Sequence, residues 1–158
     1  MKQEELMEEM RAIAEKYFDT KDDPEQIPIN KASADKLMRL DPHSVTYRLV
    51  DGHPVSWVIV LPTTRALAQD FVAGKINEHE LFDLTEPQKI YDALYFCSAF
   101  TIPQYRRQGL AEELNLEAYK NIPHTKDCYC CCWPFSPEGK RLAQDKAKKW
   151  GIDLIFKK

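Results

Sequence analysis

Hydrophobic positions recur along the chain with two periods, and each period predicts a different kind of element. The helical period of about 3.6 residues marks five segments, at 2–18, 33–40, 65–73, 109–121 and 137–150. Runs of β-branched and aromatic residues predict five strands, at 45–50, 55–61, 91–101, 127–133 and 152–156. The second half alternates strand and helix, which favours an α/β fold with a mixed sheet flanked by helices.

Turn and breaker residues set the expected limits of these elements. Asp51-Gly52 lies between the first two strands and predicts a hairpin turn. Pro62 is expected to end the second strand. The polar segment 75–88 is expected to form a surface excursion with a short helix, of the kind that shapes substrate pockets. Because we find no internal repeat or linker, we expect residues 1–158 to form a single domain.

Composition and charge argue against several classes of protein. The chain has 158 residues, with 22 Lys and Arg against 25 Asp and Glu, so a nucleic-acid-binding surface is not expected. No run approaches the roughly 18 apolar residues of a membrane span. The first residues lack the apolar core of a signal peptide, so we expect a cytoplasmic protein without membrane contact. With only five glycines, the chain has neither a G-x-G-x-x-G motif nor a P-loop.

The segment 101–111 carries the pattern of an anion site. A strand ends at a proline, a short basic loop follows, and Gly109 opens a helix. The first N–H groups of a helix have no internal partners and carry partial positive charge, so such an end attracts anions. A glycine lets a phosphate approach the backbone closely, and Arg106 and Arg107 add charge and bidentate donors. The segment therefore predicts a pyrophosphate-binding site.

This segment resembles the coenzyme A-binding motif of the GNAT family of N-acetyltransferases, R/Q-x-x-G-x-G/A. Here the motif stands as Arg106-Arg107-Gln108-Gly109-Leu110-Ala111, after a lead-in, Thr101-Ile102-Pro103-Gln104-Tyr105, similar to the family's V-x-P-x-Y. The order of the predicted elements is also similar over most of the chain. The resemblance implies a GNAT-like fold with a twisted, mostly antiparallel sheet and a parallel β-α-β core. Strand 127–133 would diverge from strand 91–101 to leave a V-shaped slot for the cofactor.

The resemblance also implies which residues bind acetyl-coenzyme A. Backbone groups of Ala99, Phe100 and Thr101 are expected to hold the pantetheine arm and the acetyl carbonyl. Ser136 stands at the start of the last helix, where family members often have an asparagine, and is included among the cofactor-binding residues. The pyrophosphate is expected at the motif and the residue after it: Arg106, Arg107, Gln108, Gly109, Leu110, Ala111 and Glu112.

The function implied by the resemblance is transfer of an acetyl group to a primary amine by direct attack in a ternary complex. The acceptor would be a small molecule or a peptide, and a homodimer is left open. The usual general acid of the family, a tyrosine inside the last helix, is missing between Pro137 and Gly151. A non-catalytic or regulatory coenzyme A-binding protein is therefore the alternative hypothesis.

Acetyl transfer to an amine also requires a base. An alkyl ammonium has a pKa of about 10, and only the neutral amine attacks. Asp92, near the start of the strand that leads to the motif, is the candidate catalytic base. Side chains in the polar segment 75–88 are alternatives for this role: His79, Glu80, Asp83 and Glu86.

The cysteines supply a third hypothesis from another class, a metal or redox protein. Cys128, Cys130 and Cys132 alternate along one predicted strand and share a face, whereas Cys131 points to the other face. His124 precedes them by four residues, so a zinc site is conceivable. Because adjacent ligands on a flat strand splay apart, we favour thiols that pack the sheet and expect no bound metal.

Overall fold

The computed structural model describes residues 3–17, 27, 30–134 and 137–157 of the chain. The helices are α1 (Gln3–Tyr17), α2 (Lys31–Leu40), α3 (Arg65–Val72), α4 (Glu78–Leu84), α5 (Leu110–Asn121) and α6 (Pro137–Trp150). The strands are β1 (Val45–Val50), β2 (His53–Thr63), β3 (Tyr91–Thr101), β4 (His124–Cys132) and β5 (Leu154–Phe156). Each helix and strand predicted from the periodicity is present, with limits shifted by a few residues. Within the described ranges, no helix is long and apolar enough to cross a membrane.

The β1–β2 hairpin turns at Asp51-Gly52, as predicted. Both residues have positive φ, 52° and 80°, which is the backbone of a type I′ turn. The expectation that Pro62 ends β2 is wrong, because the strand continues to Thr63. The nitrogen of Pro62 faces the side of β1, which pairs with β2 only as far as Ile59, so no strand partner there requires its missing N–H.

The strands form one sheet in the order β1-β2-β3-β4-β5. β1–β2 and β2–β3 are antiparallel, whereas β3–β4 and β4–β5 are parallel. The mixed sheet is confirmed, but the expectation of a mostly antiparallel sheet is wrong. The difference comes from β5: the chain returns from β4 through α6, and a helical crossover of this length joins parallel strands.

Helices cover both faces of the sheet. On one face α1 to α4 pack over Trp57 and Tyr95, and on the other α5 packs over Val58. α6 lies beside α5, since Lys149 pairs with Glu112 at 3.4 Å. The arrangement is an α/β fold in which the sheet separates two helical layers.

Helix α4 begins inside the polar segment 75–88, where the sequence provides a capping box. The Asn77 side chain accepts a hydrogen bond from the Glu80 amide, and the Glu80 carboxylate accepts one from the Asn77 amide. These bonds fix the first turn of α4. The first residue of the helix, Glu78, is buried although it is acidic.

Candidate functional site

β3 has one more residue than its neighbour β2 at Cys97. Phe96 pairs with Val60 and Ser98 pairs with Ile59, so Cys97 between them has no partner on β2. A β-bulge of this kind bends the strand and increases its local twist. The pairing of β3 with β4 also ends at Phe96. From Cys97 onward, β3 therefore keeps β2 on one side and faces no described strand on the other.

The open edge of β3 presents backbone groups of Ala99 and Thr101. Ile102 donates its N–H to the carbonyl of Val55 on β2 at 2.9 Å. The backbone groups of consecutive residues point to opposite edges of a strand. Because Ile102 faces β2, the backbone groups of Ala99 and Thr101 face away from β2. The Thr101 carbonyl accepts a hydrogen bond from Arg106 Nε at 3.0 Å. No described strand pairs with Ala99 on that side.

The gap between β3 and β4 opens into a cavity of about 880 Å³, a size typical of small-molecule sites. Ala99 and Phe100 line it from the open edge of β3, and Cys132 lines it from the end of β4. Side chains of α1 and α2 line it on one face of the sheet, and side chains of α6 line it on the other. β3 extends beyond the end of β4, and the cavity passes through the sheet at that point. The V-shaped divergence expected from the resemblance stays a prediction.

The loop from β3 to α5 is tightly folded. A single 3₁₀ turn, Pro103–Tyr105, is followed by left-handed backbone at Arg107 and Gly109, with φ of 66° and 76°. A left-handed backbone costs a residue other than glycine about 1 kcal/mol, and such strain clusters at functional sites. Residues of alternating hand also direct successive N–H groups to one side, which forms a concave site for anions.

The start of α5 leaves its amides unpaired. Within the described part of the chain, residues 107–112 donate no backbone hydrogen bond, and the first bond of the helix runs from Glu113 N–H to the Gly109 carbonyl at 3.0 Å. Residues 106–109 are exposed, and a Cβ on Gly109 would meet nothing within 4 Å. Open donors and the positive end of a helix dipole occur together here, as anion binding requires.

The remaining residues predicted to bind the cofactor lie in the first turn of α5 or outside the described residues. Leu110 and Ala111 are partly buried, and Ala111 packs against the core under α5. Glu112 is held by its ion pair with α6. The loop and the first turn of α5 do not line the large cavity, although Asn115 does. Ser136 lies outside the described residues.

Glu78 is a buried carboxylate that sequence analysis did not single out. Its residue is 8% exposed, and it lines the large cavity. One carboxylate oxygen, Oε1, accepts hydrogen bonds from the Tyr95 hydroxyl at 2.7 Å and from the Cys97 thiol at 3.3 Å. The other, Oε2, accepts one from the Ile27 N–H at 2.9 Å. The carboxylate is thereby held beside the bulge of β3.

The environment of Glu78 keeps its two side-chain partners protonated. Burial, together with the negative charge of Glu78, holds the pKa of the Cys97 thiol well above its usual range. Burial first, and then the charges of Cys97 and Glu78, also raise the pKa of Tyr95. Both groups therefore act as hydrogen-bond donors to the carboxylate at neutral pH.

Asp92 lies at the opposite end of β3 from the bulge. Its carboxylate accepts a hydrogen bond from the Arg65 amide at 2.8 Å, at the first turn of α3. Seven residues separate Asp92 from Ala99, which is about 23 Å along an extended strand. The structure does not bring Asp92 together with the slot, and a catalytic role for it stays a prediction.

The alternative bases named in segment 75–88 also lie away from the lining of the large cavity. Glu80 takes part in the capping box of α4. His79 pairs with Asp83 at 3.3 Å, and Glu86 is exposed. Glu78, between these residues, is the one that turns inward. The acidic pattern of the segment gives no sign of this, because tertiary packing decides which face of α4 turns inward, and Leu81 and Phe82 are buried on that face as well.

The cysteines of β4 alternate between the two faces, as predicted. Cys130 and Cys128 pack on the side of α5, and Cys131 packs on the side of α1 to α4. Burial raises the pKa of Cys131 to about 12 and that of Cys132 to about 11. Among the described residues, no group of three or more His, Cys, Asp or Glu side chains is placed to hold a metal ion.

Comparisons with known proteins found no match to this chain among family models, curated proteins or solved structures. The α/β class and the mixed sheet are shown by the structure. The resemblance to the GNAT family rests on the residues of segment 101–111 and on the order of the predicted elements along the chain.

Proposed function

We propose that the protein is an acetyl-coenzyme A-dependent N-acetyltransferase of the GNAT type. The observation that carries this proposal is the meeting of two features at one end of β3. The bulge leaves a strand edge open beside a cavity, and the next helix starts with amides at 107–112 that have no partner among the described residues. A pyrophosphate suits the helix start, and an arm of amide groups suits the strand edge, so both parts of coenzyme A find a complementary surface.

Different groups of the chain would bind different parts of acetyl-coenzyme A. The amides at 107–112, with Arg106 and Arg107, would bind the pyrophosphate, and the backbone of Thr101 and Ala99 would bind the pantetheine arm. When bound, acetyl-coenzyme A supplies a thioester that an amine can attack directly. The Ala99 N–H, directed into the slot, would stabilise the negative charge that develops on the acetyl oxygen. Removal of such a donor typically costs about 3 kcal/mol of transition-state stabilisation.

The wall formed by α6 supports a second candidate function. The part of α6 that lines the cavity consists of Gly139, Leu142, Ala143, Lys146, Ala147 and Trp150. Of these, Lys146 alone is ionisable, and no tyrosine is present to protonate the leaving thiolate. A thiol is a good leaving group, with a pKa of about 8.5, so transfer does not depend on such an acid. A non-catalytic coenzyme A-binding protein is the alternative that this wall favours.

Calorimetry with acetyl-coenzyme A tests the binding part of the proposal. We expect wild-type protein to bind the cofactor and Gly109→Glu to bind it at least about 100-fold more weakly, since the new carboxylate repels the pyrophosphate. Gly52→Glu is the matched control, because Gly52 also has a left-handed backbone with nothing near its Cβ but lies in the distant hairpin turn. Equal affinity in the two glutamate variants would place the cofactor elsewhere, and no binding at about 1 mM cofactor would reject the proposal.

Release of the free thiol from acetyl-coenzyme A in the presence of primary amines tests the catalytic part. We expect amine-dependent release with formation of one acetylated amine for each thiol. Cofactor binding without amine-dependent release, over a panel of monoamines, diamines, amino acids and peptides, would establish the non-catalytic alternative instead.

A further inference from the structure

Glu78 is the one acidic residue among the described residues that line the large cavity. Its oxygens accept hydrogen bonds from three neutral donors, and no ion pair to Glu78 occurs within the described ranges. A buried carboxylate without a counter-ion is costly, and a cationic ligand beside it relieves that cost. We propose that Glu78 binds the ammonium group of the acetyl acceptor and removes its proton, and that the acceptor is a primary amine with one positive charge and an apolar body. This inference rests on the proposed function.

The walls around Glu78 indicate the apolar body. Arg11, Asn30 and Ser33 are the polar members of the described lining on the side of α1 and α2, and the Asn30 side chain is engaged as the N-cap of α2. The other side chains there offer apolar and aromatic surface, among them Met7, Met10, Leu37, Trp57 and Ile59. An alkyl or aryl group that leaves water for this surface gains about 25 cal/mol per Å². Methionine side chains also adapt to ligands of different shape.

The polar groups in the cavity disfavour other classes of amine. A diamine would bring a second ammonium, and the described residues of the lining offer no second carboxylate to receive it. An amino acid would bring a carboxylate into contact with the charge of Glu78. Two cations could receive that carboxylate: Arg11, which is engaged by Glu15 at 3.3 Å and by Glu8 at 3.9 Å, and Lys146, which lies on α6 across the sheet from α1 and α2. A single charge at the end of an apolar group is the chemistry that fits.

In the proposed reaction, Glu78 accepts the first of the protons that leave the ammonium group. The bound ammonium carries three protons, and the first passes to the Glu78 carboxylate, which leaves a neutral amine with a free electron pair. That pair forms the new C–N bond as the C–S bond breaks. The second proton goes to the departing thiolate, and the third remains on the amide nitrogen. Overall, ammonium and thioester become amide, thiol and one released proton.

A second cavity gives that released proton a path to water. This cavity, of about 420 Å³, lies on the other side of Glu78 and is lined by Lys75, Asn77 and Glu80. Glu78 and Trp133 line both cavities and so form the boundary between them. Glu78 thus contacts a largely apolar chamber and a more polar one, which suits a group that accepts a proton from a ligand and passes it to solvent.

Thermal-shift measurements with four probes test amine binding without the cofactor. The probes are 2-phenylethylamine, the uncharged 2-phenylethanol, the diamine putrescine and the amino acid phenylalanine. We expect 2-phenylethylamine to raise the melting temperature of wild-type protein at concentrations at least about tenfold lower than the other three. Glu78→Gln should lose this selective response, whereas Asp83→Asn, an exposed acidic residue on the same helix, should keep it. If wild-type protein shows no preference among the four probes, the inference is overturned, whether or not the variants fold.

Transfer kinetics then separate this inference from the proposed function. We expect Glu78→Gln to bind acetyl-coenzyme A with wild-type affinity and to lose at least about 100-fold in kcat/KM for 2-phenylethylamine. Wild-type transfer to putrescine or phenylalanine, but not to 2-phenylethylamine, would overturn the acceptor class and leave the transferase proposal standing. Unchanged kcat/KM in Glu78→Gln would overturn the role of Glu78. Absence of cofactor binding in wild-type protein would overturn the proposed function itself.

Discussion

The two halves of β3, on either side of its bulge, have opposite environments. Residues 93–96 pair with both β2 and β4, and three of these four are buried. Residues 97–101 pair with β2 alone, and within that half only Phe100 is buried. The extra residue, Cys97, stands where one half changes into the other. In the first half both edges of the strand pair with neighbouring strands, whereas in the second half one edge is available to a ligand.

This difference shows how one strand serves both stability and binding. A central strand cannot bind a ligand through its backbone, because both edges are paired. A bulge next to the end of the neighbouring strand frees one edge and leaves the other anchored. The rigid half then holds the open half in place, which keeps a binding edge ordered without a bound ligand.

The largest contrast between the halves is expected from the pair Ala93→Pro and Ala99→Pro. Ala93 pairs on both sides, so proline there breaks a buried bond and should cost about 3 kcal/mol of unfolding free energy. Ala99 directs its N–H into the slot, so proline there should cost less than about 1 kcal/mol but lower kcat about 100- to 1,000-fold. Denaturant unfolding and acetyl-transfer kinetics measure the two effects. Similar losses of stability in both variants would show that the second half is as tightly paired as the first.

Cysteine labelling tests the end of β4, where Cys132 pairs with Phe96 next to the bulge of β3. Burial raises the pKa of Cys132 to about 11 from a usual value of 9.0. At pH 8, below both values, the folded protein should therefore have roughly 100-fold less thiolate at this position than the unfolded chain. Iodoacetamide should react more slowly by that factor, and the rate should rise with pH until about pH 11. Rapid labelling of Cys132 at pH 8, read by mass spectrometry of its peptide, would contradict the burial of this thiol.

Arg106→Ala is expected to affect the open half alone. The Arg106 side chain ties the loop to the Thr101 carbonyl and places a guanidinium next to the unpaired amides. Its loss should weaken acetyl-coenzyme A binding about tenfold, as expected for one charged contact. Arg39→Ala, at an exposed position on α2, is the control and should leave the affinity unchanged. Calorimetry would contradict this role if both variants bound the cofactor equally.

The smallest effect is expected from Tyr95→Phe, which links the two halves. Tyr95 belongs to the closed half but donates its hydroxyl hydrogen bond to Glu78. Its loss should cost about 1 kcal/mol of stability and lower kcat by about threefold through a less well positioned carboxylate. Tyr91→Phe is the matched control, since that hydroxyl bonds to the Leu40 carbonyl away from the slot. A similar fall in kcat for both variants would mean that the effect comes from packing and not from Glu78.

Much of the fold was predictable from local patterns. The hairpin at Asp51-Gly52 required only two residues that tolerate positive φ, and the alternation of β4 cysteines required only the period of a strand. The anion-binding start of α5 was visible as Gly109 after a proline and two arginines. The direction of β5 was not predicted, because strand pairing depends on where the chain returns after α6.

The candidate base illustrates the limit of such patterns. The position of Asp92 before the motif predicts a catalytic base, whereas in the structure Asp92 lies at the far end of β3, where its carboxylate accepts a hydrogen bond from the Arg65 amide. In the sequence, Glu78 is one more acidic residue of a polar segment. Its burial arises because α4 packs with Leu81 and Phe82 buried on the same side, and because Tyr95 and Cys97 on a distant strand donate hydrogen bonds to it.

The sequence by itself determined the elements, the turn chemistry and the loop that offers its amides to an anion, since each depends on residues close together in the chain. Only the tertiary structure decided that β3 separates from β4 at Cys97 and that Glu78 reaches the resulting cavity. A bulge is set by the register between two strands, and burial of a carboxylate is set by donors from other elements. Both depend on contacts between distant residues, which no local period encodes.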